Sequence, residues 1–276
     1  MTRIRYKLSF FGSIVAILLL GMNASAQWVR TNGPFGEVGV NALAVIDTNL
    51  LTGTGDGISF SSDDGSNWNW ARSGVSIDAF VASIKGVFAS SSDNAIFFST
   101  NDGEDWTQTG VLNYGTDERI YALAVIDTNL FAGTFLDGVF LSTNNGVSWV
   151  AADSGLPSRC TVTTLVVSSG NLFAGTNAGV FLSTNSGINW IADNAGLTPQ
   201  LITTLAVMGS ELFAATGSGI FRTTKHGTGW TAINSGLNDS NDVSFFAMSG
   251  VNLFAGTYTN GVFPLHERRP KLEHGE

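Results

Sequence analysis

Tryptophan recurs with a fixed beat along this chain. Trp28, Trp68, Trp106, Trp149, Trp190 and Trp230 lie 40, 38, 43, 41 and 40 residues apart, and Trp70 alone falls off the beat. A period of this size means that one supersecondary unit is copied several times, and that each copy buries its apolar face against its neighbours. The copies agree in wording as well as in phase. Ala-Leu-Ala-Val-Ile-Asp-Thr-Asn-Leu stands at 42–50 and 122–130, Asn-Leu-Phe-Ala-Gly-Thr at 129–134, 171–176 and 252–257, and Gly-Val-Phe-Leu-Ser-Thr at 138–143 and 179–184.

Each unit reads as four short strands. In the unit that begins near Ile120, Tyr121 to Ile126 is an apolar run and Asp127-Thr128-Asn129 a turn. Leu130 to Thr134 is a second strand, Val139 to Thr143 a third, and Trp149 to Ala152 a fourth, with Leu136-Asp137-Gly138 and Asn144-Asn145-Gly146 as the turns between them. Strands of about five residues separated by Gly and Asn turns are an all-β signature, and four strands per unit of roughly 40 residues make a propeller blade. The expected fold is an all-β, six-bladed β-propeller of four-stranded antiparallel blades. The last unit, from Val243 to Leu265, lacks its Trp strand, while Gln27 to Gly33 supplies a spare one. The N-terminal strand is therefore expected to complete the last blade and remove the exposed sheet edges.

Ahead of the repeat, Arg3, Arg5 and Lys7 precede an apolar run from Leu8 to Met22 and then Ala24-Ser25-Ala26. This succession reads as a signal peptide over residues 1–26. The run is shorter than the ~20 apolar residues of a membrane span. The expected organisation is a leader, a propeller over 27–265 and a tail over 266–276 without a core pattern. The chain is then secreted, periplasmic or at the cell surface, with no transmembrane segment after cleavage. Removal of the leader takes the basic count from 13 to 10 against 22 acidic residues. A chain this acidic is repelled by nucleic-acid phosphates and anionic lipid, so no nucleic-acid partner is expected. Cys160 is the sole cysteine, which leaves stability to packing alone.

The turn before each Trp strand carries the family resemblance. Ser61 to Trp68 reads Ser-Ser-Asp-Asp-Gly-Ser-Asn-Trp, and Ser99 to Trp106, Ser142 to Trp149, Ser183 to Trp190 and Thr223 to Trp230 repeat the pattern. This resembles the Asp box, Ser-x-Asp-x-Gly-x-Thr-Trp, of the bacterial-neuraminidase-repeat propellers, a group that includes sialidases, sortilin-type receptors, xyloglucanases and photosystem II assembly factors. The Asp position holds Asp63, Asn101, Asn144, Asn185 and Lys225; Gly65, Gly103, Gly146, Gly187 and Gly227 are kept, as are Trp68, Trp106, Trp149, Trp190 and Trp230. The resemblance implies that these residues are folding devices at the blade periphery. It places ligands on the opposite face, at the mouth of the central channel.

On that face, the start of each innermost strand aligns Asn41, Asp78, Tyr121, Thr163, Thr203 and Ser244, all able to hydrogen-bond, above apolar or small residues. The loops of the same face add Arg72, Glu118, Arg119, Asp137, Arg159 and Tyr258. Asn41, Asp78, Glu118, Arg119, Tyr121, Asp137, Arg159 and Tyr258 are the ligand-binding candidates. A sialidase-like member needs three arginines around the substrate carboxylate, and only Arg119 and Arg159 stand clearly at the mouth. A glycoside hydrolase of the xyloglucanase-like type needs two carboxylates roughly 5–10 Å apart, for which Asp78, Glu118 and Asp137 are available without any spacing that selects them. The three histidines, His226, His266 and His274, lie away from the mouth. No metal and no cofactor is expected, and no catalytic residue is assigned. The reading is an exported, non-catalytic binding or assembly module for an extracytoplasmic protein or glycan, with the glycoside hydrolase as its alternative.

Overall fold

The computed structural model describes residues 33, 39–113, 119–198, 200–224, 229–235, 243–249, 252–258 and 261–265. The expected signal peptide over 1–26, the expected tail over 266–276, the expected spare strand over 27–32, Glu118 and Gly227 lie outside the described residues. Among those described there is no helix, and none therefore that is long and apolar enough to cross a membrane.

Six antiparallel sheets follow one another in chain order. Blade 1 holds β1 (Val40–Ile46), β2 (Asn49–Thr54), β3 (Gly57–Ser61) and β4 (Asn69–Ser73), and blade 2 holds β5 (Ile77–Ser83), β6 (Gly86–Ser91), β7 (Ala95–Ser99) and β8 (Thr107–Val111). Blade 3 has β9 (Ile120–Ile126), β10 (Asn129–Thr134), β11 (Val139–Ser142) and β12 (Val150–Ala151). Blade 4 has β13 (Val162–Ser168), β14 (Asn171–Thr176), β15 (Gly179–Ser183) and β16 (Ile191–Ala192). Blade 5 has β17 (Ile202–Met208), β18 (Glu211–Thr216), β19 (Gly219–Thr223) and β20 (Thr231–Ala232). Blade 6 has β21 (Val243–Ser249), β22 (Asn252–Thr257) and β23 (Gly261–Pro264); its expected fourth strand falls on the undescribed 27–32. The chain is a six-bladed β-propeller, as the repeat predicts.

Its core lies in the seams between blades. Phe131, Val139 and Ala152 of blade 3 pack with Val162, Leu172 and Trp190 of blade 4, and Phe173 and Val180 of blade 4 with Ile202, Leu205 and Trp230 of blade 5. The same holds from blade 1 to blade 2, from 2 to 3 and from 5 to 6. The central Phe of the Asn-Leu-Phe-Ala-Gly-Thr phrase is fully enclosed as Phe131 and Phe173, and Phe213 matches it in blade 5. A blade is thus apolar on both faces, which is why its inner strands read as near-continuous apolar runs.

The Trp-bearing turns satisfy themselves. Ser61 Oγ donates to Asp63 Oδ1 at 2.9 Å and accepts from Gly65 N at 2.9 Å, and Asp63 Oδ1 also accepts from Asn67 N at 2.8 Å. Ser99 with Asn101 and Gly103, Ser142 with Asn144 and Gly146, and Ser183 with Asn185 and Gly187 repeat the arrangement. The hydrogen bonds from the Asn67 side chain and backbone, then from Ser61, hold the Asp63 carboxyl below its ordinary value. Glycine is required at Gly103 on two counts: φ is +88°, and a Cβ there would lie 2.4 Å from Leu51 Cδ2 of the preceding blade. The five tryptophans that follow are 3–9% exposed.

Candidate functional site

Six equivalent bulges surround the mouth. The register between the first and second strands shifts at one point in every blade, between Val40 and Ala42, Ile77 and Ala79, Val162 and Thr164, Ile202 and Thr204, and Val243 and Phe245. In blade 3 the shift leaves Tyr121 as the extra residue. The extra residues are therefore Asn41, Asp78, Tyr121, Thr163, Thr203 and Ser244, the positions the sequence aligns. A bulge bends its strand and re-aims one side chain without disturbing the ladder on either side.

The re-aimed side chains are spent largely on the next blade. Asn41 Nδ2 donates to Ile77 O at 3.2 Å. Thr163 Oγ1 donates to Ile202 O at 2.6 Å, and Thr203 Oγ1 to Val243 O at 2.8 Å. Each acceptor is the residue just before the next ring position, so the ring is a course of stitches between blades. It is less a free polar rim than the alignment suggests.

Asp78 cannot take part in that course, because a carboxylate has no proton to donate. The link from blade 2 to blade 3 is instead made by Arg119, just ahead of β9. Its Nε donates to Asp78 Oδ2 at 3.0 Å and its Nη2 to Oδ1 at 2.7 Å, a bidentate pair. The Asp78 side chain is 2% exposed and that of Arg119 42% exposed. The hydrogen bond to Asp78 raises the Arg119 pKa above its already high ordinary value. The Arg119 guanidinium carbon lies 6.0 Å from the Tyr121 ring centroid, and Phe135 meets Tyr121 edge-on at 6.0 Å. Burial, helped by the Asp78 charge, holds the Tyr121 phenol above the usual range. Arg119 O accepts from Phe135 N at 2.9 Å, which fixes the backbone beneath the guanidinium.

The remaining candidates stand apart from this cluster. Asp137 and Arg159 line a groove of about 310 Å³ on blade 3, between the β10–β11 turn and the link from β12 to β13. Cys160 closes its back, 2% exposed, and burial pushes its thiol up to about 11. Tyr258 is exposed in the β22–β23 loop. Arg72, a loop residue by its sequence, sits in β4 with its guanidinium 4.1 Å from the Phe97 ring centroid of blade 2. Sequence reasoning passed over Asp153, Phe140 and Pro157 of the groove; its one trace in the sequence is the longer turn between the second and third strands of that unit. It also passed over Val147, Val150, Ile188 and Ile191, aliphatic residues flanking two Trp turns and 58–64% exposed. No group of acidic, His or Cys side chains suited to a metal ion occurs among the described residues.

A family model described as the DUF6242 beta propeller domain matches residues 117–254, half of the chain, from the approach to β9 into β22. No curated protein matches. Among solved structures, the extracellular domain of BT4673 from B. thetaiotaomicron is 18% identical with a TM-score of 0.70, over 86% of this chain and 34% of that one. An ancestral GH74 enzyme is 18% identical with a TM-score of 0.69, over 87% of this chain and 38% of that one. The chain thus spans little more than a third of the length of either. YCF48 from Cyanidioschyzon merolae is 13% identical with a TM-score of 0.61, over 81% of this chain and 80% of that one; YCF48 has also been solved bound to D1 peptide, a structure matching at 14% identity and a TM-score of 0.54 over 66% of this chain and 62% of that one. At these identities the likeness is one of fold.

Proposed function

This chain belongs to the DUF6242 beta propeller domain family, and from that premise we propose that it is an exported, non-catalytic binding or assembly module. Its Trp-bearing turns are Asp boxes serving the fold. Its partner is an extracytoplasmic protein or glycan that docks on the opposite face, at the channel mouth. The succession of basic, apolar and small residues over 1–26 supports export. The propeller of YCF48 bound to D1 peptide and the extracellular domain of BT4673 are relatives in fold that make such a role reasonable.

The observation that carries the reading is Arg119. Among the described residues it is the one interblade stitch at the mouth made by a charged side chain that remains open to solvent, with a planar face held in place by a buried carboxylate. A guanidinium fixed in this way keeps a free edge and a stacking surface at little ordering cost, which is what a polar ligand or a peptide backbone can use. The same pairing speaks against the glycoside hydrolase alternative at this position, since both Asp78 oxygens already accept from Arg119 and neither is free to move a proton or attack a sugar.

The test must respect that pairing. Removing Arg119 alone would leave the Asp78 charge buried without a partner, at a cost of about 3–5 kcal/mol. The double variant Asp78→Asn with Arg119→Gln keeps hydrogen bonding and removes both charges. On arrays of glycans and of peptides, it should lose about tenfold or more of the wild-type signal while melting within a few degrees of wild type. Retained binding by a folded double variant sinks the mouth assignment. Turnover of β-glucans or sialosides by the purified protein would install the hydrolase reading instead.

A further inference from the structure

The groove on blade 3 exists because that blade departs from blades 4 and 5 in two ways. In blades 4 and 5 the corresponding rim is sealed by asparagine. Asn194 Oδ1 accepts from Val180 N at 2.8 Å, and Asn234 Oδ1 accepts from Ile220 N at 2.7 Å. Gly179 and Gly219 press so closely on these amides that a Cβ would lie 2.3 and 2.4 Å from the oxygens. In blade 3 the residue at this position is Asp153, which makes no such bond among the described residues. The β10–β11 turn is also one residue longer than those of blades 4 and 5, a length that blades 2 and 6 share without an Asp at the rim position. Thr134 Oγ1 closes onto Gly138 O four residues ahead, where Thr176 and Thr216 close onto Gly179 and Gly219 three ahead.

The longer turn is pinned open. Leu136 N donates to Thr161 Oγ1 at 3.3 Å, and Gly138 N to Cys160 O at 2.9 Å. The resulting space is lined by the buried Phe140, by Leu136 and Pro157, and by the exposed Asp137, Asp153 and Arg159. These three charged side chains form no ion pair with any described residue. Their sum is one negative charge, in a chain whose own net charge is −9. A neutral ligand would leave that charge uncompensated and an anion would add to it. A monocation with an apolar stem cancels it and covers the aliphatic and aromatic walls. A volume of about 310 Å³ sits at the small end of ligand sites, enough for a short alkyl chain.

We propose that this groove between the β10–β11 turn and the Asp153–Cys160 link binds an aliphatic primary ammonium, with Asp137 and Asp153 accepting from the ammonium group and Leu136, Phe140 and Pro157 covering the stem. The same chemistry is offered by a free alkylamine and by a lysine side chain of a protein partner. The site goes beyond the mouth cluster and shares none of its charged groups, so either can fail alone.

Titration calorimetry on the purified chain at low salt tests it, with n-butylammonium, putrescine and N-acetyl-lysine methylamide as probes and n-butanol and N-acetyl-norleucine methylamide as neutral controls. The cations should bind saturably and the controls should not. Asp137→Asn with Asp153→Asn should weaken binding about tenfold or more. Arg159→Gln should tighten it about threefold, because a like charge is removed. Binding of the alkylamines points to a small-molecule source, and binding of the lysine probe alone to a protein partner. Equal binding of the controls, weaker binding after Arg159→Gln, or no saturation by any cation up to about 10 mM overturns the proposal.

Discussion

Trp106 and Trp190 occupy the same register in two copies of one unit, yet they are tied down differently. Trp106 Nε1 donates to Gly103 O at 2.8 Å within its own turn, and Trp68 and Trp149 do likewise with Gly65 and Gly146. Trp190 Nε1 instead donates across the seam to Ala152 O at 2.7 Å, and its backbone N to Ser154 O at 2.8 Å. Trp230 repeats this with Asp193 O and Ala195 O. The cause lies one blade upstream. β4 and β8 run five residues along their own third strands, so their carbonyls are used at home. β12 and β16 stop after two residues, and the chain turns beneath the next tryptophan and offers it the freed carbonyls. The early seams compensate in other ways, with Arg72 over Phe97 and Gly110 pressed against the Gly146 carbonyl. Each interblade bond contributes about 1 kcal/mol, much as the surrendered ladder bonds would have done. The seam is relocated, at roughly equal stability.

The sharpest way to break this comparison is truncation. Trp106→Ala should cost about 3–5 kcal/mol for the lost ring. Each variant loses one indole hydrogen bond, and Trp190→Ala should exceed Trp106→Ala by about 1 kcal/mol because its lost bond to Ala152 O joins two blades, whereas that of Trp106 stays within one turn. Chemical denaturation of both variants decides it, and equal losses would mean that the cross-seam bonds add nothing.

A smaller effect separates backbone strain from seam contact. Gly74 (φ +85°) and Gly155 (φ +92°) end the fourth-strand segments of blades 1 and 3 in nearly the same conformation. Nothing lies within 4 Å of a Cβ at Gly74, whereas one at Gly155 would meet Trp190 O at 2.2 Å. Gly74→Ala should cost about 1 kcal/mol from the left-handed conformation alone. Gly155→Ala should add about 1–3 kcal/mol of overpacking. Matching melting temperatures for the two would show that the clasp yields freely.

The smallest effect concerns the clasp of blade 4. Asp193 sits there, 8% exposed with Oδ2 lacking a partner, at the position of Ala152 and Ile233 in blades 3 and 5, and burial pushes its carboxyl up to about 6. A raised folded-state pKa favours the protonated form. The stability it contributes is therefore greatest below about 4 and is lost as pH rises through about 6. Asp193→Asn should melt like wild type at pH 4 and be about 1 kcal/mol more stable at pH 7, a figure reduced because water reaches part of the site. An unchanged difference across that range would place the carboxyl in water.

The sequence reveals the blades because their signals are local. Trp149 and Gly146 belong to one turn, and its bonds join residues two to four apart. The mouth is harder to read. Asn41, Thr163 and Thr203 look like free polar side chains until their acceptors, 36 to 40 residues away, are located. The Asp78–Arg119 pair, 41 residues apart, has no spacing rule that would announce it. Tyr121, aligned with them as a mouth residue, is only 7% exposed because Phe135 and Arg119 cover it. The groove depends on turn length together with Asp153 in place of the rim asparagine, a combination whose effect is felt only against the Asp153–Cys160 link.

The stitches at the mouth also bear on the order in which the ring can be made. Each described one joins a blade to the blade that follows it in the chain, never to one further on. A polypeptide emerging from its N-terminus can therefore lock each seam as soon as about forty further residues appear, which keeps every loop closure short. A closing seam between blade 6 and blade 1 would be the exception, since its two sides lie at opposite ends of the domain. Gly33, whose Cβ would fall 2.7 Å from Trp68 Cδ1, holds a place against blade 1 like that of Gly155 against blade 4. Where a ring of this kind closes through its termini, the last act of folding is a homecoming, reached only after every other seam has been locked.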